Sequence, residues 1–197
     1  MLSLISKFIL EYLFGWKLIS ELPKCNKAIL FCYPHTSYRD GFYALLIGFY
    51  INAYLLFKRE SFAYYIALLF GHYTVDRNNS KSQTDLLAEY IMNSENDHLL
   101  AMSPEGSTHY NEFIKSGFYH IALKADIPII CGNMNFNNRE YSFSHEIYIK
   151  YNDNGTVRIK TIVEVMNEIR KWYTDNNLLD SGLYPNKMNP LRVKSEM

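Results

Sequence analysis

The chain has 197 residues, 48% of them hydrophobic, which is enough for one globular domain with a buried core. Its 20 Lys and Arg residues balance 20 Asp and Glu residues, so the chain as a whole has no electrostatic attraction for nucleic acid. The three cysteines form no Cys-x-x-Cys pair, and two of them lie in apolar runs. This usage favours reduced thiols in a cytosolic-facing protein over a disulfide or a metal site.

Residues 1–22 are predicted to form an amphipathic helix. Apolar side chains recur there at helical spacing, at Leu2, Ile5, Ile9, Tyr12, Leu13 and Trp16. The charged residues Lys7, Glu11 and Lys17 inside the segment argue against a helix that spans a bilayer, and no small-residue cleavage site marks a secretory signal. Two alternatives remain. The helix lies in a membrane interface with Phe14 and Trp16 as anchors, or it packs on the core of its own domain.

Residues 23–175 alternate between predicted strands and helices. Short apolar runs bounded by turn residues predict strands at 29–32, 53–58, 72–75, 98–102 and 127–131. Helical periodicity and capping signals predict helices that open near residue 41 and cover 61–70, 83–93, 117–125 and 163–173. The turn at 152–155 predicts a hairpin of strands 145–151 and 156–162, and the polar residues 176–197 predict a loose tail. The order predicts an α/β fold, with a mainly parallel, mixed sheet flanked by helices and a late hairpin.

Three predicted strands end in polar turns of similar design, Pro34-His35, Asp76-Arg77 and Pro104-Glu105-Gly106. In a parallel sheet such carboxyl ends lie at one edge, where they can form a single site. If a helix begins between His35 and Asp40, the imidazole can fold back to meet the Asp40 carboxylate. The carboxylate would fix the tautomer and leave the other ring nitrogen free to take a proton from a hydroxyl.

The same turns contain groups suited to an anionic ligand. Arg77 is a cation able to hold an anion, and Gly106 allows backbone to approach a ligand closely. Thr36 and Ser37 lie where amides at a helix start can face an anion or an oxyanion. No histidine spacing typical of a metal site is present, so we expect no metal.

These motifs resemble those of the glycerolipid acyltransferases of the 1-acylglycerol-3-phosphate (lysophosphatidate) acyltransferase type. The matching blocks are His35-x-x-x-x-Asp40, Val75-Asp76-Arg77, Pro104-Glu105-Gly106-Ser107-Thr108 and Ile127-Pro128-Ile129, with a similar segment at 115–122 that begins with Lys115. They occur in the order and at the approximate spacing of that family. One departure is that the family's third block normally has an arginine where Thr108 stands here.

The resemblance implies transfer of a fatty acyl group from acyl-CoA or acyl carrier protein to a hydroxyl of a lysophospholipid or glycerol phosphate, with no other cofactor. His35 would be the general base, oriented by Asp40. The implied substrate-binding residues are Ser37, Asp76, Arg77, Glu105, Gly106, Ser107, Thr108 and Lys115. The uncharged, aromatic residues 42–70 would form a groove for acyl chains. Either Lys115 or His109 would compensate for the missing arginine, or the acceptor would carry its phosphate differently or lack one.

The resemblance also implies a cytoplasmic protein that is peripheral on a membrane surface. A second interpretation is a lipid-binding or scaffold protein on the same fold that has lost catalysis. It is motivated by Thr108, because a hydroxyl cannot replace a guanidinium as a phosphate ligand.

Overall fold

The computed structural model describes residues 1–59, 63–76 and 80–196. The helices are α1 (Leu2–Phe8), α2 (Tyr38–Ile51), α3 (Ala63–Phe70), α4 (Ser80–Asn93), α5 (Gly117–Ala125) and α6 (Ile162–Asp175). The strands are β1 (Lys17–Leu18), β2 (Lys27–Cys32), β3 (Ala53–Lys58), β4 (Tyr73–Val75), β5 (His98–Met102), β6 (Ile129–Asn135), β7 (Glu140–Phe143), β8 (Lys150–Asp153) and β9 (Thr156–Ile159). A π-helical turn, Ile9–Leu13, continues α1.

Seven strands form the main sheet, in the order β1-β7-β6-β2-β5-β3-β4. Every pairing in it is parallel except that of β6 with β7, so the mixed α/β class predicted from the sequence is confirmed. The predicted hairpin is present, but β8 and β9 form a separate two-stranded sheet. Strands β1 and β7 run antiparallel to the other five strands of the main sheet, and the sequence pattern predicted neither of them.

Strand β2 lies at the centre of the sheet and is buried on both faces. Its odd residues, Ile29 and Phe31, pack with α5 and α6, and Phe31 meets Phe118 with ring centroids 4.9 Å apart. Its even residues, Ala28 and Leu30, belong to the core on the opposite face of the sheet. Successive side chains of a strand point to opposite faces, so a continuous apolar run is what a strand covered on both sides requires.

The N-terminal segment packs on the domain with one side and exposes the other. The Ser3 hydroxyl donates to the Tyr50 carbonyl of α2 at 2.6 Å, and Leu10 is fully buried. Trp16 is also buried, with its ring 4.9 Å from that of Tyr43, so the expectation that Trp16 anchors the chain in a membrane is wrong. Within the described ranges, no helix combines the length and the apolar character needed to cross a bilayer.

The C-terminal segment is packed where the sequence predicts a loose tail. Leu178, Leu191 and Val193 are buried in the main core, and Ser181 and Asn189 are buried polar residues. The prediction failed because these apolar residues are isolated in a polar stretch and follow neither helical nor strand periodicity. Their burial depends on contacts with distant parts of the chain, which no local pattern reports.

Candidate active site

The His35 side chain lies beside Asp40 at the carboxyl end of β2. Ser37 is the N-cap of α2 and forms a capping box with Asp40, whose side chain therefore points back over the turn. The Asp40 Oδ2 atom lies 3.5 Å from His35 Nδ1, close enough for an ion pair but longer than the about 2.7–3.2 Å of a normal N–H···O hydrogen bond. Asp40 is almost fully buried, whereas 26% of the His35 side chain is exposed, so the imidazole is open to a ligand.

The amides at the start of α2 already have an acceptor. Asp40 Oδ2 accepts the Thr36 amide at 2.6 Å and the Ser37 amide at 2.8 Å. The Arg39 amide donates to the Ser37 hydroxyl at 3.1 Å. The expectation that the amides of Thr36 and Ser37 face an oxyanion is therefore not met. They hold the Asp40 carboxylate in place instead.

Glu105 reaches the same turn from the end of the neighbouring strand β5. Its Oε2 accepts the His35 amide at 2.5 Å and the Ser103 hydroxyl at 3.4 Å. Burial raises the pKa of Glu105 to about 8, while these hydrogen bonds act in the opposite direction. The other oxygen, Oε1, is buried and has no hydrogen-bond partner among the described residues.

Gly106 and Lys115 pack against each other beside Glu105. Gly106 has a φ of +66°, and a Cβ on it would lie 3.1 Å from Lys115 Nζ. The positive φ favours glycine at this position, whereas the contact with the flexible end of Lys115 could be relieved by a small shift of that side chain. Ser107 accepts a hydrogen bond from the Asn111 side chain within the loop, and Thr108 is half-buried there.

Asp76 follows β4 at the same edge of the sheet, but at its far end. Strands β5 and β3 separate β4 from β2, which puts three strand spacings, or about 14 Å, between the ends of β2 and β4. The Asp76 amide donates to Gln83 Oε1 at 2.6 Å. Arg77 lies outside the described residues. Of the three predicted turns, the structure therefore brings those of His35 and Glu105 into contact.

An apolar cavity of about 40 Å³ lies between α2 and the sheet and reaches the Tyr33-Pro34 peptide that precedes His35. Ala44, Ile47 and Gly48 of α2 form one of its walls. Two polar atoms of its lining, Asn133 Oδ1 and the Tyr141 hydroxyl, have no hydrogen-bond partner among the described residues.

Sequence reasoning missed the residues of the C-terminal segment that contact the site. The Tyr33 hydroxyl donates to the Asn189 carbonyl at 2.8 Å, and the Tyr184 amide donates to Thr36 Oγ1 at 3.2 Å. Asn133 joins the segment to Tyr33, the residue after β2, because its Nδ2 donates to both the Tyr33 carbonyl and Ser181 Oγ. The available signals were a glycine, two prolines and apolar residues scattered through a polar tail.

Neither the cysteines nor any group of potential metal ligands forms a further site among the described residues. Cys25, Cys32 and Cys131 are free, and burial raises the pKa of both Cys32 and Cys131 to about 12, so both are protonated at neutral pH. Among the residues that the structure describes, no group of three His, Cys, Asp or Glu side chains is placed to hold a metal ion.

Neither a family model nor a curated protein matches this chain. Among solved structures, the chain is similar to a lipid-modifying enzyme, a 1-acyl-sn-glycerophosphate (LPA) acyltransferase. That enzyme is PlsC from Thermotoga maritima; its crystal structure aligns with a TM-score of 0.57 over 89% of this chain and 76% of that chain, at 12% sequence identity. At this identity the likeness establishes a shared α/β fold.

Proposed function

We propose that this protein is an acyltransferase that moves a fatty acyl group from an acyl thioester, acyl-CoA or acyl carrier protein, to a hydroxyl of a lysophospholipid or glycerol phosphate. The observation that carries the proposal is the accessible His35 imidazole beside the buried Asp40 carboxylate, at the carboxyl edge of a sheet whose fold resembles that of PlsC. Ligands of open α/β sheets bind at this edge.

In the proposed mechanism, His35 is the general base and Asp40 orients it. With Nδ1 facing Asp40, the proton is assigned to Nδ1, and Nε2 is the atom that accepts the proton of the acceptor hydroxyl. The hydroxyl oxygen then forms an ester bond with the thioester carbonyl carbon, and the carbon–sulfur bond breaks. The imidazolium returns its proton to the departing thiolate, so no acyl-enzyme forms.

Lys115 and Arg77 are the proposed cations for the acceptor phosphate. Lys115 is exposed and packs on the Glu105-Gly106 turn. It can therefore supply a positive charge near Thr108, the position at which the glycerolipid acyltransferases have an arginine. In the sequence, Arg77 is the second residue after β4, and a guanidinium can contact two phosphate oxygens. Asp76, Ser107 and Thr108 belong to the same two loops and are proposed to shape the acceptor site.

The apolar cavity beneath α2 is the proposed entry for the acyl chain. Its wall of small and aliphatic side chains suits a hydrocarbon, and it meets the backbone next to His35. A volume of about 40 Å³ holds only a few methylene groups, so the proposal requires α2 to move outward when a longer chain binds.

The protein is proposed to act as a peripheral protein on a membrane surface. Two apolar surfaces flank α2. The first, on α1, includes Leu4, which is 73% exposed, and Phe8; the second, on α3, includes Leu68 and Leu69. Helix α3 contacts α2 through the rings of Phe49 and Phe70, 4.9 Å apart, while α1 is bonded to the Tyr50 carbonyl. Exposed apolar side chains on neighbouring helices are typical of a helix face that lies in a lipid interface.

The experiment is a thioester-cleavage assay in which a thiol reagent detects free CoA, with acyl-CoA and a panel of lysolipids and glycerol phosphate as acceptors. We expect acceptor-dependent turnover that falls at least about 100-fold in His35→Ala, because the general base is lost. His145→Ala is the matched control, since His145 is an exposed histidine outside the site. Equal turnover by wild type and His35→Ala would refute this mechanism.

The second interpretation, an inactive lipid-binding protein, is favoured by Thr108 at the position of an arginine. A charged hydrogen bond contributes about 1.5–3 kcal/mol, which the Thr108 hydroxyl does not supply. The same assay separates the two interpretations. If the protein binds lysolipid but cleaves no thioester with any of the acceptors, the result would support the inactive lipid-binding protein and reject the enzyme interpretation.

A further inference from the structure

The C-terminal segment, residues 181–193, is fixed to the turn that carries the candidate base. At its start, Gly182 packs on this turn, because a Cβ on Gly182 would lie 2.9 Å from Pro34 Cγ and 3.1 Å from Thr36 Cγ2. Two residues later, the Tyr184 amide donates to Thr36 Oγ1 at 3.2 Å. Both sequence neighbours of the base are therefore in contact with the segment.

The segment is fixed a second time at Asn189, which is 2% exposed. The Asn189 carbonyl accepts the Tyr33 hydroxyl at 2.8 Å, and its side-chain Oδ1 accepts the Asn111 amide at 2.5 Å. Asn111 belongs to the loop that follows Glu105. The residues between the two fixed points thus connect the His35 turn to the loop after Glu105, along the edge of the sheet where the candidate site lies.

Residues 184–187 form the exposed part of this connection and include one cation. Pro185–Lys187 is a single turn of 3-10 helix, which brings Lys187 back towards Tyr184. Lys187 Nζ lies over the Tyr184 ring, 4.9 Å from its centroid. The attraction between an ammonium group and an aromatic ring holds the flexible lysine side chain near this position. The ammonium therefore stays close to the point where the segment meets Thr36.

The charge of Lys187 is not neutralised by a carboxylate in the part of the chain that the structure describes. None of the ion pairs between described residues includes it. By contrast, six other basic residues of the C-terminal half each pair with a carboxylate, namely Lys150, Arg158, Lys160, Arg170, Lys171 and Arg192. A positive charge at the edge of the candidate site is thus available to an anionic ligand.

We propose that Lys187, held in place by Tyr184, binds a phosphate group of a substrate at the edge of the candidate site. This inference deepens the proposed acyl transfer and rests on it for the identity of the substrates. The phosphate belongs either to the acceptor or to the CoA part of the donor. An ammonium binds phosphate through charge-assisted hydrogen bonds, which a hydroxyl such as that of Thr108 does not match.

The experiment measures equilibrium binding to the full-length protein by titration calorimetry. The probes are CoA, lysophosphatidate and monoacylglycerol, the last of which lacks the acceptor phosphate. Lys187→Gln should weaken the binding of CoA or of lysophosphatidate about 3- to 10-fold, as expected for an exposed, charge-assisted contact. A loss for lysophosphatidate assigns the contact to the acceptor, and a loss for CoA assigns it to the donor. Unchanged affinity for both, or an equal loss for monoacylglycerol, would overturn the proposal.

Two control variants test whether the charge of Lys187 is responsible. Lys187→Arg keeps the charge and should bind within about twofold of the wild type; a loss as large as that of Lys187→Gln would contradict the proposal. Lys24→Gln removes an exposed lysine that precedes β2, at the opposite edge of the sheet, and should match the wild type. Tyr184→Leu removes the ring beneath the ammonium and should weaken the same probe by about twofold.

Ionic strength provides a second readout. The difference in affinity between wild type and Lys187→Gln should shrink as the ionic strength rises from about 0.01 M to about 1 M, because the Debye length falls from about 30 Å to about 3 Å. A difference that is independent of salt would contradict a contact made by charge.

Binding also separates this proposal from the proposed function. If Lys187→Gln weakens binding but the wild type cleaves no thioester, acyl transfer is rejected and the phosphate contact is supported. In an active enzyme, Lys187→Gln should raise KM for the phosphate-bearing substrate and leave kcat within about twofold, because the contact is remote from the reacting atoms. Wild-type KM values in an active Lys187→Gln would reject the phosphate contact and leave acyl transfer supported. A wild type that binds neither CoA nor lysophosphatidate would also overturn the contact.

Discussion

Replacing Glu105 by glutamine should change how the stability of this protein depends on pH. Glu105 is 1% exposed, and two donors converge on its carboxyl, the His35 amide and the Ser103 hydroxyl. A glutamine has the same shape, and its carbonyl oxygen can accept those bonds. The variant thus removes the ionisation of the side chain while it preserves the contacts that hold the turn.

The size of the effect follows from the shift in pKa. Burial raises the pKa of Glu105 from 4.5 to about 8, with a small contribution in the same direction from Asp40. A carboxyl whose folded pKa is raised stabilises the fold fully below its unfolded pKa, and this contribution is lost as the pH rises through the folded pKa. At 1.36 kcal/mol per pKa unit, the wild type should lose about 2 kcal/mol relative to Glu105→Gln between pH 6 and pH 8.

The assay is urea unfolding of both proteins at pH 6, 7, 8 and 9, with the free energy of unfolding extrapolated to water. The difference between wild type and Glu105→Gln should grow with pH in favour of the variant. Glu95→Gln, which changes an exposed glutamate, should follow the wild type at every pH. If the curves of wild type and Glu105→Gln remain parallel, the carboxyl is not held in the environment that the structure gives it, and the reasoning fails.

Two further predictions concern the base and the membrane surface. Asp40→Asn keeps an oxygen that can accept the amides of Thr36 and Ser37 but removes the negative charge beside the imidazole. Turnover should therefore fall about 100-fold or more, with little change in the midpoint of unfolding. Wild-type turnover in this variant would exclude the orienting role. The double variant Leu4→Asp/Phe8→Asp should sediment less with anionic vesicles than the wild type does. The control Val157→Asp changes an exposed strand residue outside the proposed surface and should sediment like the wild type. Equal sedimentation of all three proteins would reject the lipid-facing surface.

Local patterns in the sequence were sufficient for most of the elements that build the site. The predicted limits of β3, β5 and α5 coincide with those observed, because each is a short apolar or amphipathic run ended by charged, Gly or Pro residues. The position of Asp40 was also predictable, since Ser37 and Asp40 have the spacing of a capping box.

What the sequence did not contain is the order of the strands and the path of the chain ends. Strands β2, β3, β4 and β5 follow one another along the chain, but β5 lies next to β2 and β4 lies at the edge. Glu105 therefore meets His35, while Asp76 is farther away. Likewise, nothing local distinguishes the buried Trp16 from a membrane anchor, or the buried Asn189 from an exposed tail residue.

The two buried carboxyl groups beside His35 are held in opposite ways, and this difference bears on the proposed chemistry. Two amides and the positive end of the α2 dipole stabilise a negative charge on Asp40. Glu105, whose pKa is about 8, is mostly neutral at pH 7.

An imidazolium that forms during proton transfer then faces one counter-charge, on the side of Nδ1. A second charged carboxylate would stabilise the imidazolium further and oppose the return of its proton to the thiolate. On this basis, the proposed role of Glu105 is to hold the backbone of the proposed base, and that of Asp40 is to hold its ring.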